Sequence, residues 1–130
     1  MSNNRLTSTE ISNLWTHYLR ETLQICVIKY MLSNIKDPQI LDIFNMAQKM
    51  SEKHTDMLQS IFKKENFPNP KGFTDRDVNL NAPRLFSDLY CLYYIHTLTM
   101  HGAQAYNIAF SVSIRQDIRE FYYQCCTKLY

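Results

Sequence analysis

The spacing of apolar positions predicts four helices. From Ile11 the chain places Leu14, Trp15, Tyr18, Leu19, Thr22, Cys26 and Tyr30 at intervals that keep one face of a helix apolar. The stretch "LTSTEI" before it has the form of a helix start. Thr7 stands as N-cap, Glu10 as its capping-box partner, and Leu6 with Ile11 as a hydrophobic staple. This helix is expected over 7–35. "KDPQIL" opens the second, with Asp37 as cap and Pro38 in the first turn, where its missing N–H has no partner to lose. Its stripe runs Ile40, Ile43, Phe44, Ala47, Met50, His54, Met57, Leu58, Ile61 and Phe62. The helix is expected over 38–65, ending before the prolines of "NFPNP". At 1.5 Å per residue it is about 42 Å long.

A third helix is expected over 82–111, after Asn81 and Pro83. Its expected inner stripe is Leu85, Phe86, Leu89, Tyr90, Tyr93, His96, Met100 and Ala103, yet Leu92, Tyr94, Ile95 and Leu98 leave hardly any side polar. A helix apolar almost all round is covered on more than one side. "SIRQ", with Ser113 and Gln116 as a second capping box, opens a fourth helix over 114–130 that carries Ile114, Ile118, Phe121, Cys125 and Leu129. The irregular connection 66–81 is long enough to run from one end of a bundle to the other. The expected fold is therefore all-α: a ferritin-like four-helix bundle, one domain over 1–130, with a long crossover between its second and third helices. The fourth helix, about 25 Å long, is short beside the second. The apolar groove it leaves open predicts a dimer.

Composition narrows the function classes. With 45% hydrophobic residues the chain builds a core and is not disordered. It has two glycines in 130 residues, against a usual share of about 7%, which disfavours β-rich and α/β folds. Net charge is +2, from 14 basic and 12 acidic residues without a basic stripe, so neither nucleic acid nor an anionic membrane is an expected partner. "MSNNRLTSTE" lacks the apolar segment of a secretory leader, and no run reaches the ~18 apolar residues of a membrane span. A cytoplasmic chain is expected. Cys26, Cys91, Cys125 and Cys126 form no C-x-x-C pair and are expected as reduced thiols.

One histidine stands inside an apolar stripe. In "KMSEKHTDML", His54 lies on the inner face of the second helix. A di-iron carboxylate bundle needs a Glu on two helices and Glu-x-x-His on the other two. Here Ser51 occupies the Glu position before His54, and the fourth helix has no histidine. A single-metal site from His54, Glu21 and His96 is the alternative. The favoured reading is a buried neutral His54 bonded to a tyrosine hydroxyl or a carboxylate, with no metal and no cofactor. "DRDVNLN" starts like a calcium loop with Asp75, Asp77 and Asn79, but Leu80 stands where glycine must turn the chain and Phe86 where the bidentate glutamate belongs. No catalytic Ser/His/Asp order or glycine-rich phosphate loop is present. Nine tyrosines point to amphipathic packing, or else to a surface for association or oxidative cross-linking.

The stretches "LTSTEISNLWTHYL", "SEKHTDML", "GFTDRDVNLNAPRLFSD" and "SVSIRQDIREF" resemble an uncharacterised ferritin-like family of spore-forming bacteria. Its members carry a provisional spore-coat label and are classed as a domain of unknown function. The resemblance covers Leu6 to Tyr130 and implies a four-helix bundle linked to sporulation or the spore coat. Family members typically continue the fourth helix further, and many carry two bundles in tandem. The expected function is non-enzymatic: self-association or binding of a protein partner through Tyr90, Tyr94, Leu98, Phe121 and Leu129. The alternative is a degenerate metal-binding or redox bundle centred on His54.

Overall fold

The structure is a computed structural model and describes residues 5–127. It is all-α: α1 (Ser8–Leu32), α2 (Pro38–Lys64), α3 (Asp88–Val112) and α4 (Gln116–Thr127), with one 3-10 turn at Asp75–Asp77. Among the described residues there is no strand.

The first two helix starts follow from local chemistry. Glu10 N–H donates to Thr7 Oγ1 at 3.1 Å, and Glu10 Oε1 accepts from Thr7 N–H at 2.8 Å, which closes the expected capping box. Asp37 caps α2 through Gln39 N–H at 2.9 Å, with Pro38 in the first turn. At the other end of α2, Asn66 has φ 58°, and Phe67 N–H reaches back to the Phe62 carbonyl. This left-handed residue closes the helix and turns the chain out.

α3 starts at Asp88 rather than at 82. Residues 82–87 stay outside the helix because other bonds hold them. Tyr30 Oη donates to the Pro83 carbonyl, Ser87 caps Tyr90 N–H, and Asp88 accepts the backbone N–H groups of Lys36 and Asp37 in the α1–α2 turn. α4 starts at Gln116, and the box expected from Ser113 and Gln116 does not form. Ser113 Oγ turns back to the Ala109 carbonyl instead. The cap comes from another helix: Glu10 Oε2 accepts Ile114 N–H at 3.1 Å and Arg115 N–H at 3.0 Å. Arg115 then clamps the corner, bidentate to Glu65 at 2.8 Å and bonded to Asp117 at 2.7 Å.

Two apolar clusters fill the bundle. One joins Leu14 and Tyr18 of α1, Leu58 and Phe62 of α2, Ala109 of α3, and Ile118 and Phe121 of α4. The other joins Ile28 and Met31, Ile40 and Phe44, and Cys91 and Ile95 of the first three helices. The late turns of α2 and α3 share one cluster and their early turns the other, so these two helices run in the same direction. The crossover must therefore travel the length of the bundle. It lies along α1: Phe73 N–H bonds Thr22 Oγ1, Cys26 Sγ lies 3.3 Å from the Thr74 carbonyl, and Lys29 pairs with Asp75.

Gly72 permits that approach. A Cβ there would stand 2.8 Å from Thr22 Cγ2 and 3.0 Å from Tyr18 Cε2. Gly72→Ala is expected to push the crossover off α1 and lower stability by about 1–3 kcal/mol, the usual range for overpacking, read as a lower urea midpoint.

The inner face of α3 is the reverse of the expected stripe. Cys91, Ile95, Tyr106 and Ala109 are buried, whereas Leu85, Leu89, Tyr93, His96 and Met100 are exposed. A helix apolar on every side gives no periodic signal to choose a face. Packing chose the side with Cys91, Gly102 and Ala109, whose small side chains let the helix come close.

Candidate functional site

Between the two apolar clusters every helix contributes a polar side chain to one layer. α1 supplies His17 and Glu21, four residues apart on one face; α2 supplies His54, α3 Tyr106 and α4 Tyr122. All five are buried, with exposures from 0% at Tyr122 to 6% at His17 and Tyr106. The layer forms two linked groups. In the first, Glu21 Oε2 accepts the Tyr106 hydroxyl at 2.7 Å and lies 2.6 Å from His54 Nδ1, with Tyr106 Oη 3.3 Å from the same nitrogen. In the second, His17 Nδ1 lies 2.9 Å from Tyr122 Oη. The groups touch through their rings: Tyr106 is 4.9 Å from His17 and 6.1 Å from Tyr122, centroid to centroid. Among the described residues no buried side-chain nitrogen or oxygen lacks a partner.

Burial sets the protonation of this layer. Desolvation, with the charges of Arg20 and His54, drives the His17 imidazole down to about 4, so it is neutral at pH 7. Desolvation raises the Tyr106 phenol well above its ordinary range, and the Glu21 carboxylate raises it further. Burial likewise raises Tyr122 and the neighbouring thiol of Cys125. Both phenols therefore keep their protons, and each faces a base. A cavity of about 30 Å³, bounded by Glu21, Ser51, His54, Gly102 and Tyr106, adjoins the first group. It is the size of one or two water molecules.

The structure brings His54 and Glu21 together and leaves His96 exposed on the outside of α3. Glu21 and His54 are bonded to each other and to Tyr106. Among the described residues no cluster of three His, Cys, Asp or Glu side chains could hold a metal ion. The donor set does not fit a metal centre, which takes at least three protein ligands in catalytic zinc sites and more in di-iron bundles. The calcium-like stretch is likewise structural: Asp75 pairs with Lys29, Asp77 accepts Thr74 N–H, and Asn79 accepts Asn81 N–H.

Of the expected interaction residues, Tyr90 is exposed and stacks on Phe86 at 4.4 Å. Tyr94 and Leu98 are half-buried against the second apolar cluster. Phe121 belongs to the core at 4% exposure, because the turn of α4 that carries Ile118, Phe121 and Tyr122 faces the other helices. It offers no outer surface, which corrects the expectation for that residue. Leu129 lies outside the described residues.

Residues 1–130 match a family described as "protein of unknown function (DUF3231)". The chain belongs to this family. Its fold resembles the crystal structure of a "putative spore coat protein" from Bacillus halodurans, with a TM-score of 0.80 at 15% sequence identity, over 95% of this chain and 80% of that one. Among curated proteins none matches it. At that identity the likeness establishes the shared fold. Within this family member, no helix among the described residues is long and apolar enough to cross a membrane.

His17 and Tyr122 were not singled out by sequence reasoning. One signal was available: His17 stands three residues after Leu14 and four before Glu21, so all three share a face. Nothing local connects His17 to a tyrosine 105 residues away.

Proposed function

We propose that this protein is a non-enzymatic, ferritin-like bundle associated with the spore coat, and that it works by binding a second copy of itself through the outer face of α3. The observation that carries the reading is the chemistry of that face. From Leu89 to Val112 there is no Lys, Arg, Asp or Glu. Leu89 is 74% exposed, Tyr93 73%, Ile108 64% and Met100 50%. Such a face extends about 36 Å at 1.5 Å per residue. Interface centres are depleted of charge and enriched in tyrosine and methionine.

The neutrality of the face favours a copy of itself over a charged partner. A charged partner surface would lose water there and gain no counter-charge. Two antiparallel copies of α3 related by a twofold axis near Met100 would set His96 opposite Gln104 and Leu89 opposite Ser111, with no like-charged carboxylate or ammonium pair. The spore-coat association is supported by the name of the Bacillus halodurans neighbour.

Sedimentation velocity over a range of concentrations tests this. A reversible dimer is expected, and Tyr93→Glu with Met100→Glu should shift it to monomer while leaving the helical circular dichroism unchanged. A species that stays monomeric at every concentration would overturn the reading.

A further inference from the structure

We propose that Tyr106 and Tyr122 form a proton-coupled, one-electron oxidation site inside the bundle, with Glu21 and His17 as the acceptors of their protons. The inference rests on a juxtaposition that packing alone does not require: two buried phenols in ring contact, each hydrogen-bonded to its own base.

Removing an electron from a phenol makes its O–H strongly acidic. In a dry core the resulting cation is stable only if a base in hydrogen-bond contact takes the proton as the electron leaves. General bases act at heavy-atom separations of about 2.6–3.2 Å. Tyr106 Oη to Glu21 Oε2 is 2.7 Å, and Tyr122 Oη to His17 Nδ1 is 2.9 Å. In its Nε2–H tautomer His17 accepts this proton through Nδ1, and it is neutral because burial has driven its own proton off.

The two bases differ in what they leave behind. At Tyr106 the balanced step converts the phenol, the Glu21 carboxylate and an oxidant into the neutral phenoxyl radical, the neutral Glu21 acid and the reduced oxidant. The O–H bond of Tyr106 breaks, a new O–H bond forms on Glu21, and the electron goes to the oxidant. At Tyr122 the same step leaves a phenoxyl radical beside a protonated, buried His17. The oxidant is a diffusible oxyl radical such as a peroxyl radical, reduced to the hydroperoxide anion. Such a site draws oxidising equivalents away from exposed Tyr90, Tyr93 and Tyr123 before they couple between molecules.

The test is photo-oxidation of the full chain with tris(bipyridine)ruthenium and persulfate, followed by freezing and electron paramagnetic resonance. A neutral tyrosyl signal is expected, formed more slowly in heavy water. Its relaxation should be insensitive to a water-soluble paramagnetic ion. Tyr106→Phe and Tyr122→Phe should each lower its yield severalfold. Glu21→Gln keeps the shape of the side chain and removes the acceptor, so it should suppress the Tyr106 component. A yield that is equal in wild type and both core variants overturns the proposal. So does a wild-type radical that relaxes rapidly with the aqueous ion, a readout that needs no variant to fold. A purely structural pair would alter stability and leave the signal unmoved.

Discussion

Glu10→Ala is expected to lower the stability of the bundle by about 3–5 kcal/mol, because three backbone N–H groups, one buried and two part-buried, lose their acceptor, and an orphaned donor costs about 1–3 kcal/mol when fully buried and less at the rim. Glu10 is 1% exposed, and both its oxygens are engaged. Oε1 holds Thr7 N–H at the start of α1, and Oε2 holds the N–H groups of Ile114 and Arg115 at the start of α4. One carboxylate thus caps two helices that are more than a hundred residues apart in the chain. Burial pulls its pKa upward, but the hydrogen bonds from Thr7, Arg115 and Ile114 outweigh it, and the group ends below its ordinary value. A lowered carboxylate stabilises the fold above its unfolded pKa, and the contribution is lost as pH falls through the folded pKa. Glu10→Gln keeps one carbonyl oxygen and should lose less. Urea denaturation followed by circular dichroism at pH 7 measures both variants. A Glu10→Ala midpoint equal to that of wild type would show that water replaces the carboxylate at no penalty.

Acidification from pH 7 to pH 4 is expected to remove about 3 kcal/mol of stability through His17 alone, since each tenfold difference in proton affinity between the unfolded and folded imidazole is worth about 1.4 kcal/mol. The unfolded imidazole takes a proton near 6.5, whereas the folded one resists until about 4. Between those values the unfolded state binds more protons, so stability rises with pH across that window and falls as acid is added. The loss is large beside a typical total of about 5–15 kcal/mol. Glu10 acts in the same direction but lower, below its ordinary carboxylate value, so the two effects separate on the pH axis. His17→Gln offers Tyr122 an uncharged acceptor and should flatten the slope between pH 6.5 and pH 4, whatever it does to stability at pH 7. An unchanged slope in that variant would place the acid sensitivity elsewhere.

The same layer shows where a sequence reading runs out. His54 was legible because a titratable residue interrupted an apolar stripe, and the structure buries it against both a carboxylate and a phenol. Glu21 was legible as a carboxylate that could meet His54. Tyr106 and Tyr122 were not, because tyrosine at a core position looks the same whether its hydroxyl is buried or at the rim. On α3 the expected inner stripe proved to be the outer face: a helix without charged residues from Leu89 to Val112 carries no pattern that distinguishes inside from outside.

By itself the sequence determined what local chemistry can enforce. Thr7 with Glu10 and Asp37 with Pro38 placed the starts of α1 and α2, because their bonds close within a few residues. The proline-bounded crossover and the scarcity of glycine fixed an all-helical bundle with one long connection. Tertiary structure alone decided the start of α3, held back to Asp88 by the α1–α2 turn, and the cap of α4, taken from Ser113 by Glu10. It also decided which side of α3 faces inward and which phenols meet which bases. The physical reason is common to these cases. Each depends on a polar or steric contact between groups 50 to 105 residues apart in the chain, and the energy of such a contact exists only once the helices have packed.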